Sequence, residues 1–553
     1  MLSLILQAAD RVPHRNGLAI MTTGIRLGCA ALGALVTAIG LAPAALAQKP
    51  GGILRIHHRD SPASMSVHEE GTIGVIMPMM GVFNNLVVFD QNVPQNSEAS
   101  IVPDLASSWT WNEDHTALTF KLRDRVKWHD GKPFTSADVK CTFDLLTNQG
   151  KDKLRLNYRE SWWVNLKETT VNGASEATLH LKKPQPAVLA LLASGDTPVY
   201  PCHITPAQMR QHPIGTGPFK FVEYKPNQGI KFGKNQEYWK PGRPYLDGIE
   251  YTIVPNRSTA VLAFVAGQFD MTFPYEVTFA LLKDIKAQAP QAVCKEGAAN
   301  ESVGVLINRT KPPFDNADVR DAISLTLDRK SFIDILGQGE GDIGGALLPP
   351  PEGVWGMPIE RLMTLPGYGG DVKQNREKGR ELMKRAGYGP DKHLTIKLST
   401  RNIPVYRDPS AILLDQLKEI WIDGELELVE TANWVPKLIR KDFTIGLNVL
   451  GTAVDEPDVY FYQNYVSSSK RNYPAFNDPE FDKLVDRQSQ EADPVKRKKL
   501  VQDADYLLQK GLGRPVIYHV RAATCWQPQL KGITMMVNSQ YNGWRMEDWW
   551  LDR

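Results

Sequence analysis

The chain has 553 residues, of which 42% are hydrophobic and 23% are charged, a composition typical of a folded soluble protein and unlike a disordered or polytopic membrane chain. A single hydrophobic core stops growing near roughly 250–300 residues, so a chain of this length must divide into two or more lobes. Its 64 Lys and Arg against 62 Asp and Glu leave a net charge of +2, which gives no basic excess for binding nucleic acid.

The first segment has the pattern of a secretory signal. Residues 27–47 are uncharged, apolar and rich in Ala and Gly, Arg26 precedes them, and Ala45-Leu46-Ala47 forms a small-x-small cleavage site. We therefore expect this leader to be removed on export, with Met1 and Met21 both open as the true start. The alternative is a retained membrane anchor, because the stretch approaches the ~20 residues that span a bilayer.

Export would place four cysteines in an oxidising space: Cys141, Cys202, Cys294 and Cys525. If all four pair, three connectivities are open. None of them forms a C-x-x-C pair, and Cys141 lies within an apolar helical pattern. Buried free thiols are therefore the simpler expectation, and a single disulfide is the alternative.

The hydrophobic periodicity predicts strands and helices interspersed along the chain. Alternating patterns predict strands at residues 51–57, 114–123, 217–224, 249–254, 393–399 and 515–520. Helical spacing predicts helices from 135 onward and at residues 258–266, 318–336, 373–386, 409–420, 478–490 and 494–510. Thr135 and Asp138 can cap the start of the first helix, and Gly267 can end the second in a left-handed conformation. Without regular strand–helix alternation, mixed α/β lobes are expected and a barrel is not.

The usual signatures of catalysis are missing from the sequence, which has no G-x-S-x-G, H-E-x-x-H or P-loop motif. His57 and His58, together with His68 and Glu69, are the best candidates for a metal cluster. Adjacent residues of a strand point to opposite faces, however, so both histidines of the pair cannot easily serve one ion. We expect no enzymatic activity, no cofactor and no metal.

Five sequence blocks occur in a fixed order over about residues 50–530. They are residues 101–109 (IVPDLASSW) followed by 119–144, then 213–219 (PIGTGPF), 266–270 (AGQFD), 313–329 and 477–484 (NDPEFDKL). Together they resemble the extracellular solute-binding proteins of family 5, the dipeptide, oligopeptide and nickel receptors of ABC importers. Most of these signature residues are expected to be scaffold.

The resemblance implies a clamshell like that of type II periplasmic binding proteins, with two α/β lobes and an inserted extra domain. The implied boundaries are 1–47 for the signal, 48–92, 214–306 and 518–553 for lobe I, 93–213 for the inserted domain, and 307–517 for lobe II. A monomeric periplasmic receptor would bind a peptide or another small solute between the lobes. It would deliver the solute to the permease and ATPase subunits of an importer in the inner membrane.

In peptide-binding members of the family, an acidic group holds the α-amino end of the ligand. By resemblance Asp455 is that group here, and Thr452 in the same block is a second expected ligand contact. Thr452 stands where many members have Trp, however, and the loop before Pro457 is short, which argues against a free peptide. The competing interpretation is that Asp455 and Asp458 cap the structure that follows them.

Four further residues match positions that line the site in the family. Trp434 resembles an aromatic wall residue, and Arg440 follows where members place an arginine that can grip a carboxylate. Met77 and Met79 fall where the first lobe contacts ligand, and their side chains suit apolar ligand groups. Core packing of the Trp and Met residues, and a solvated Arg, explain the same positions without any ligand.

Two other functions remain open at this point. An exported hydrolase could use Asp455 and Asp458 as cleft carboxylates, although glycoside hydrolysis needs carboxyls that face each other across a cleft. A membrane-anchored or partner-recruiting relative would retain the first 47 residues.

Overall fold

The structure, a computed structural model, describes residues 48–451 and 453–553. The predicted signal segment, residues 1–47, and the predicted ligand contact Thr452 lie outside the described residues. In the part that is described, no helix combines the length and the apolar character needed to cross a bilayer.

The strands of the described residues follow the chain in this order: β1 Ile53–His58, β2 Val87–Phe89, β3 Ile101–Pro103, β4 Ala106–Trp111, β5 Ala117–Leu122, β6 Leu166–Val171, β7 Glu176–Leu181, β8 Phe219–Lys225, β9 Gly229–Lys234, β10 Gly248–Ile253, β11 Val293–Ile307, β12 Gly341–Asp342, β13 Leu394–Arg401, β14 Ile422–Val429, β15 Ile445–Gly451, β16 Val516–Trp526, β17 Leu530–Lys531 and β18 Trp550–Leu551.

The α-helices of the same residues are α1 Ile73–Met80, α2 Ser136–Leu146, α3 Val188–Ala193, α4 Pro206–Gln211, α5 Arg257–Val265, α6 Phe279–Gln288, α7 Ala317–Thr326, α8 Arg329–Gly337, α9 Ile359–Leu362, α10 Val372–Arg385, α11 Pro404–Leu417, α12 Thr431–Ile439, α13 Pro457–Asn464, α14 Pro479–Gln490 and α15 Pro494–Lys510. Short 3₁₀ turns lie at Val67–Glu69, Glu98–Ser100, Glu160–Trp163 and Lys418–Ile420.

Three larger sheets organise these elements. The first lobe is built on β1-β10-β9-β8, in which β1 and β10 run parallel. The antiparallel sheet β4-β5-β7-β6 lies within the predicted inserted domain. The second lobe is built on the order β12-β16-β11-β15-β13-β14. The fold is thus the expected mixed α/β clamshell, while the boundaries given for its domains stay a prediction.

Two strands pass from one lobe to the other. On β11, Ala299 packs in the first lobe's hydrophobic core, whereas Val303 packs in the second lobe's core. On β16, Ala522 packs in the first lobe's core and Tyr518 packs in the second lobe's core. The pairing of these strands shifts register between Ala298 and Ser302. The hydrogen-bonded pairing of β11 with β16 is therefore irregular where the two strands pass between the lobes.

The expectation of free thiols is wrong, because Cys141, Cys202, Cys294 and Cys525 form two disulfides. Cys141 pairs with Cys202 and Cys294 with Cys525, with Cα–Cα distances of 5.6 and 4.1 Å. The backbone N–H of Cys202 donates to Asp138 at 2.9 Å, which brings the loop after α3 onto α2. The second bridge joins residues that face each other across β11 and β16. Neither cysteine pairing can be predicted from the sequence, because the partners are separated by 61 and 231 residues.

Most predicted helix bounds hold, including the Thr135 start of α2, where the Asp138 carboxylate accepts the Thr135 N–H at 2.9 Å. The predicted single helix over residues 318–336 is wrong, because it divides into α7 and α8. Asp328 causes the break: its side chain accepts the N–H of Ser331 at 3.2 Å and so starts a new helix.

Candidate functional site

A cavity lies between the two lobes. The first lobe contributes the start of α1 and Tyr541, and the second contributes α12, the end of β15 and α13. The empty space between these walls, counted out to the mouth and including open solvent, is about 760 Å³. Arginines are the most frequent charged residues in its lining: Arg59, Arg159, Arg401 and Arg471.

One of these arginines holds the lobes together. Arg401, at the end of β13, forms an ion pair with Asp60, which follows β1 in the first lobe. Their side chains are only 2% and 5% exposed. Thr431 completes the link, since its hydroxyl donates to Asp60 at 3.0 Å and accepts from Arg401 Nε at 2.8 Å. Burial disfavours the charged Asp60, but Arg401 and the neighbouring His58 and Arg59 outweigh it and lower the pKa of Asp60.

Two more cavity arginines are neutralised by carboxylates. Arg59 donates to Glu276 at 2.7 Å and to Glu301 at 3.4 Å. Arg159 pairs with Asp196 and also donates to the carbonyl of Val67 at 2.8 Å. Burial raises the pKa of Asp196 in spite of this partner. Both clusters therefore stiffen the cavity wall that faces the second lobe and leave little of their charge for a solute.

Arg471 differs from the other three. Its guanidinium forms no ion pair with a carboxylate of the described ranges, and its Nε is buried without a hydrogen-bond partner. It lies over the ring of Tyr158, with 5.7 Å between the guanidinium carbon and the ring centroid. The hydroxyl of Tyr473 and Oδ1 of Asn464, which line the same cavity, are also buried without partners. Unpaired buried polar atoms cost free energy, so this wall is suited to a polar solute.

Trp434 lies in the wall of the cavity. Its indole N–H donates to Asn448 at 3.1 Å, and its ring meets Tyr406 edge to face with centroids 6.3 Å apart. The side chain is 2% exposed, so most of it packs in the second lobe's core. Its contact with a solute stays a prediction.

Asp455 does not line this cavity. Its carboxylate accepts the backbone N–H of Val354 at 2.7 Å, and its carbonyl accepts the indole N–H of Trp355 at 3.0 Å. Burial raises the pKa of Asp455 to about 7. The predicted capping role belongs to its neighbour Glu456, which accepts the N–H of Asp458 at 3.2 Å. The amine-binding role of Asp455 stays a prediction without geometric support here.

The remaining predicted contacts lie away from the cavity. Arg440 is exposed at the end of α12. Met77 and Met79 on α1 are fully buried in the first lobe's core. The first-lobe wall is formed instead by the residues just before them, Gly71 and Thr72 together with Ile73.

The histidines considered as metal ligands are each engaged by the backbone. His57, His58 and His68 bond the carbonyls of Val254, Gly74 and Pro198, each at 2.9 Å. Burial lowers the pKa of His57 to about 4 and that of His68 to about 3. Residues 48–451 and 453–553 contain no group of three or more His, Cys, Asp or Glu arranged to hold a metal ion.

Sequence reasoning missed the charged residues of the cavity. Arg159, Glu301, Arg401 and Arg471 come from four separate segments and carry no local motif. The one available signal was the charged pair Arg59-Asp60 directly after the buried strand β1, since ligand sites in α/β folds often follow strand ends.

Comparison with known proteins gives consistent matches over most of the chain. Residues 100–472 match the family model of bacterial extracellular solute-binding proteins, family 5 Middle. Di/tripeptide-binding protein 1 of Pseudomonas aeruginosa is 26% identical over 492 residues, covering 82% of this chain and 85% of the relative. Heme-binding protein A of Haemophilus influenzae is 26% identical, covering 82% of this chain and 84% of the relative.

The fold is also similar to that of a solved structure. The periplasmic binding protein DppA from Helicobacter pylori, in complex with the peptide STSA, superposes with a TM-score of 0.80 at 21% identity. The match covers 91% of this chain and 99% of that chain. At this identity the likeness establishes the clamshell fold.

Proposed function

Since this chain belongs to the bacterial extracellular solute-binding proteins of family 5, we propose that it is the receptor of an ABC importer for a small peptide-like solute with an anionic group. The receptor binds the solute between its lobes and passes it, chemically unchanged, to the permease and ATPase subunits in the inner membrane. It acts as a monomer and without catalysis.

The anionic group of the solute is inferred from Arg471, which forms no ion pair with a carboxylate of the described residues. The other cavity arginines face carboxylates, so the anion of a solute has one free guanidinium to bind among the described residues. A planar guanidinium can bind a carboxylate with two parallel hydrogen bonds. Tyr473 adds a hydroxyl donor, and Asn464 adds a carbonyl acceptor.

An amine of the solute is best held by Glu301. Of the two cavity carboxylates, Asp196 is closely paired with Arg159, whereas Glu301 is held more loosely, by Arg59 at 3.4 Å and Gln540 at 3.3 Å. Glu301 lies on β11 where the strand crosses between the lobes. A cationic and an anionic end would thus be bound by different walls, which suits a zwitterionic peptide-like solute.

Periplasmic residence is supported by two features besides the leader pattern. Both disulfides suit an oxidising compartment, because cytosolic thiols are kept reduced. The family itself is extracellular. The mass of the exported product, measured directly, tests whether the first 47 residues are removed.

The hydrolase alternative has no support in the geometry. Asp458 accepts from Gln185 at 2.8 Å and from Ser489 at 2.6 Å, and it lies near Arg497. Asp455 and Asp458 therefore act within the protein's own packing and do not face each other across the cavity.

The test is equilibrium binding by calorimetry against acidic peptides, neutral peptides and haem. We expect acidic peptides to bind, and Arg471→Gln to weaken their binding by at least tenfold. Arg440→Gln is the matched control, because it removes an exposed arginine on the same lobe, and it should change affinity less than twofold. Equal effects of both substitutions, or equal binding of neutral peptides, would contradict the proposal.

A further inference from the structure

We propose that the solute site has two chambers separated by Arg471, and that the solute is an elongated acidic peptide occupying both, with its anionic side chain at the junction. This inference rests on the proposed function and extends it to the length of the solute and the position of its charge.

The outer chamber lies between the predicted inserted domain and the second lobe. One wall is formed by residues 148–164 and the other by Ile439 with residues 468–471. The empty space between them, counted out to the mouth, is about 980 Å³. It is therefore at least as roomy as the inner cavity, although no sequence block pointed to it.

Arg471 lines both chambers. Its guanidinium lies over Tyr158, and the two side chains meet the backbone at Gly71, where an added Cβ would lie 3.2 Å from Arg471 Nη1 and 3.5 Å from the ring of Tyr158. These three residues form the partition. Because the guanidinium forms no ion pair with a carboxylate of the described residues, its long side chain can change rotamer without breaking one. A solute can then extend past the Arg471 side chain from one chamber into the other.

The chemistry of the outer chamber suits the remainder of a peptide. Leu154, Val164 and Ile439 offer apolar contacts, and Ser161 and Ser468 offer hydroxyls. The one carboxylate of the lining, Glu160, already pairs with Lys470. The chamber therefore has polar groups for a main chain and apolar surface for side chains, and it has no free acid that would repel an acidic solute.

Peptides of increasing length and a variant that fills the outer chamber test the proposal. The probes are Ala-Asp, Ala-Asp-Ala and Ala-Asp-Ala-Ala, titrated by calorimetry. Ser468→Trp places an indole in the outer chamber at an exposed serine whose side chain makes no hydrogen bond with the described residues. Ser258→Trp on α5 is the matched control, because Ser258 is exposed and lies outside both chambers.

For the wild type we expect the dissociation constant to fall at least tenfold from the dipeptide to the tetrapeptide. Ser468→Trp should remove that gain and leave Ala-Asp within twofold, and Ser258→Trp should leave all three unchanged. Binding of all three peptides without any dependence on length, or a Ser468→Trp effect of equal size on each, overturns the two-chamber site and leaves the proposed function standing. Failure of the wild type to bind any of them at 1 mM overturns both.

Discussion

Breaking the ion pair between the lobes should shift the protein towards an open form. Asp60→Asn leaves the Arg401 guanidinium buried at 2% exposure without its counter-charge. Removing one partner of a buried pair costs about 3–5 kcal/mol. We take the lower end, about 3 kcal/mol, because an asparagine side chain can still accept from Thr431 and Arg401.

Opening relieves this cost, because it returns Arg401 to water, whereas the separate cores of the two lobes stay intact. The closing equilibrium should therefore fall by about 100-fold, as 1.4 kcal/mol corresponds to a factor of ten. If the solute binds the closed form, its apparent affinity falls by up to the same factor. Small-angle scattering should show a larger radius of gyration for the ligand-free variant than for the wild type.

The matched control is Glu425→Gln, which breaks an exposed pair with Lys397 in the same lobe, whose side chains are 69% and 73% exposed. Such pairs contribute little, so neither scattering nor affinity should change. A double-mutant cycle with Arg401→Met isolates the coupling between the two partners. The reasoning is refuted if Asp60→Asn matches the wild type both in radius of gyration and in dissociation constant.

Two further predictions concern stability. Because burial raises the pKa of Asp455 from 3.8 to about 7, the folded state holds a proton that the unfolded state releases; the free energy of unfolding should therefore fall as pH rises from about 4 to about 7. Asp455→Asn should flatten that slope in urea titrations at pH 5 and pH 8, and an unchanged slope would exclude Asp455 as its source. Replacing Cys294 and Cys525 by alanine should lower the free energy of unfolding by about 3–5 kcal/mol, since this bridge closes a long loop of the unfolded chain. Addition of a reductant to the wild type should produce a loss at least as large, and no difference between oxidised and reduced protein in guanidinium titrations would contradict it.

Local signals in the sequence were sufficient for most elements of the fold. The capping pair Thr135 and Asp138 and the alternation in β5 depend on neighbours in the chain, so both are predictable. The break between α7 and α8 was missed, because the apolar spacing continues through Asp328 and conceals the cap. The family resemblance gave the clamshell, since its blocks occur along the chain in order.

The site was much less predictable, because its charges are paired through space. Arg401 and Asp60 are 341 residues apart, and no spacing rule connects them. Whether an arginine is free or neutralised depends on such partners, so the sequence could not distinguish Arg471 from Arg401. Resemblance placed Trp434 in the cavity wall, but it could not reveal that Asp455 is engaged by Val354.

The bridge between Cys294 and Cys525 also limits how the clamshell moves. It joins the two crossing strands on the first-lobe side of the register break, which begins after Ala298. Strands fastened at that point keep their mutual register on the first-lobe side, so we expect bending to be concentrated in the irregular residues 299–301. Glu301 lies in that segment, so we expect its carboxylate to move little during closure while the opposite wall approaches it.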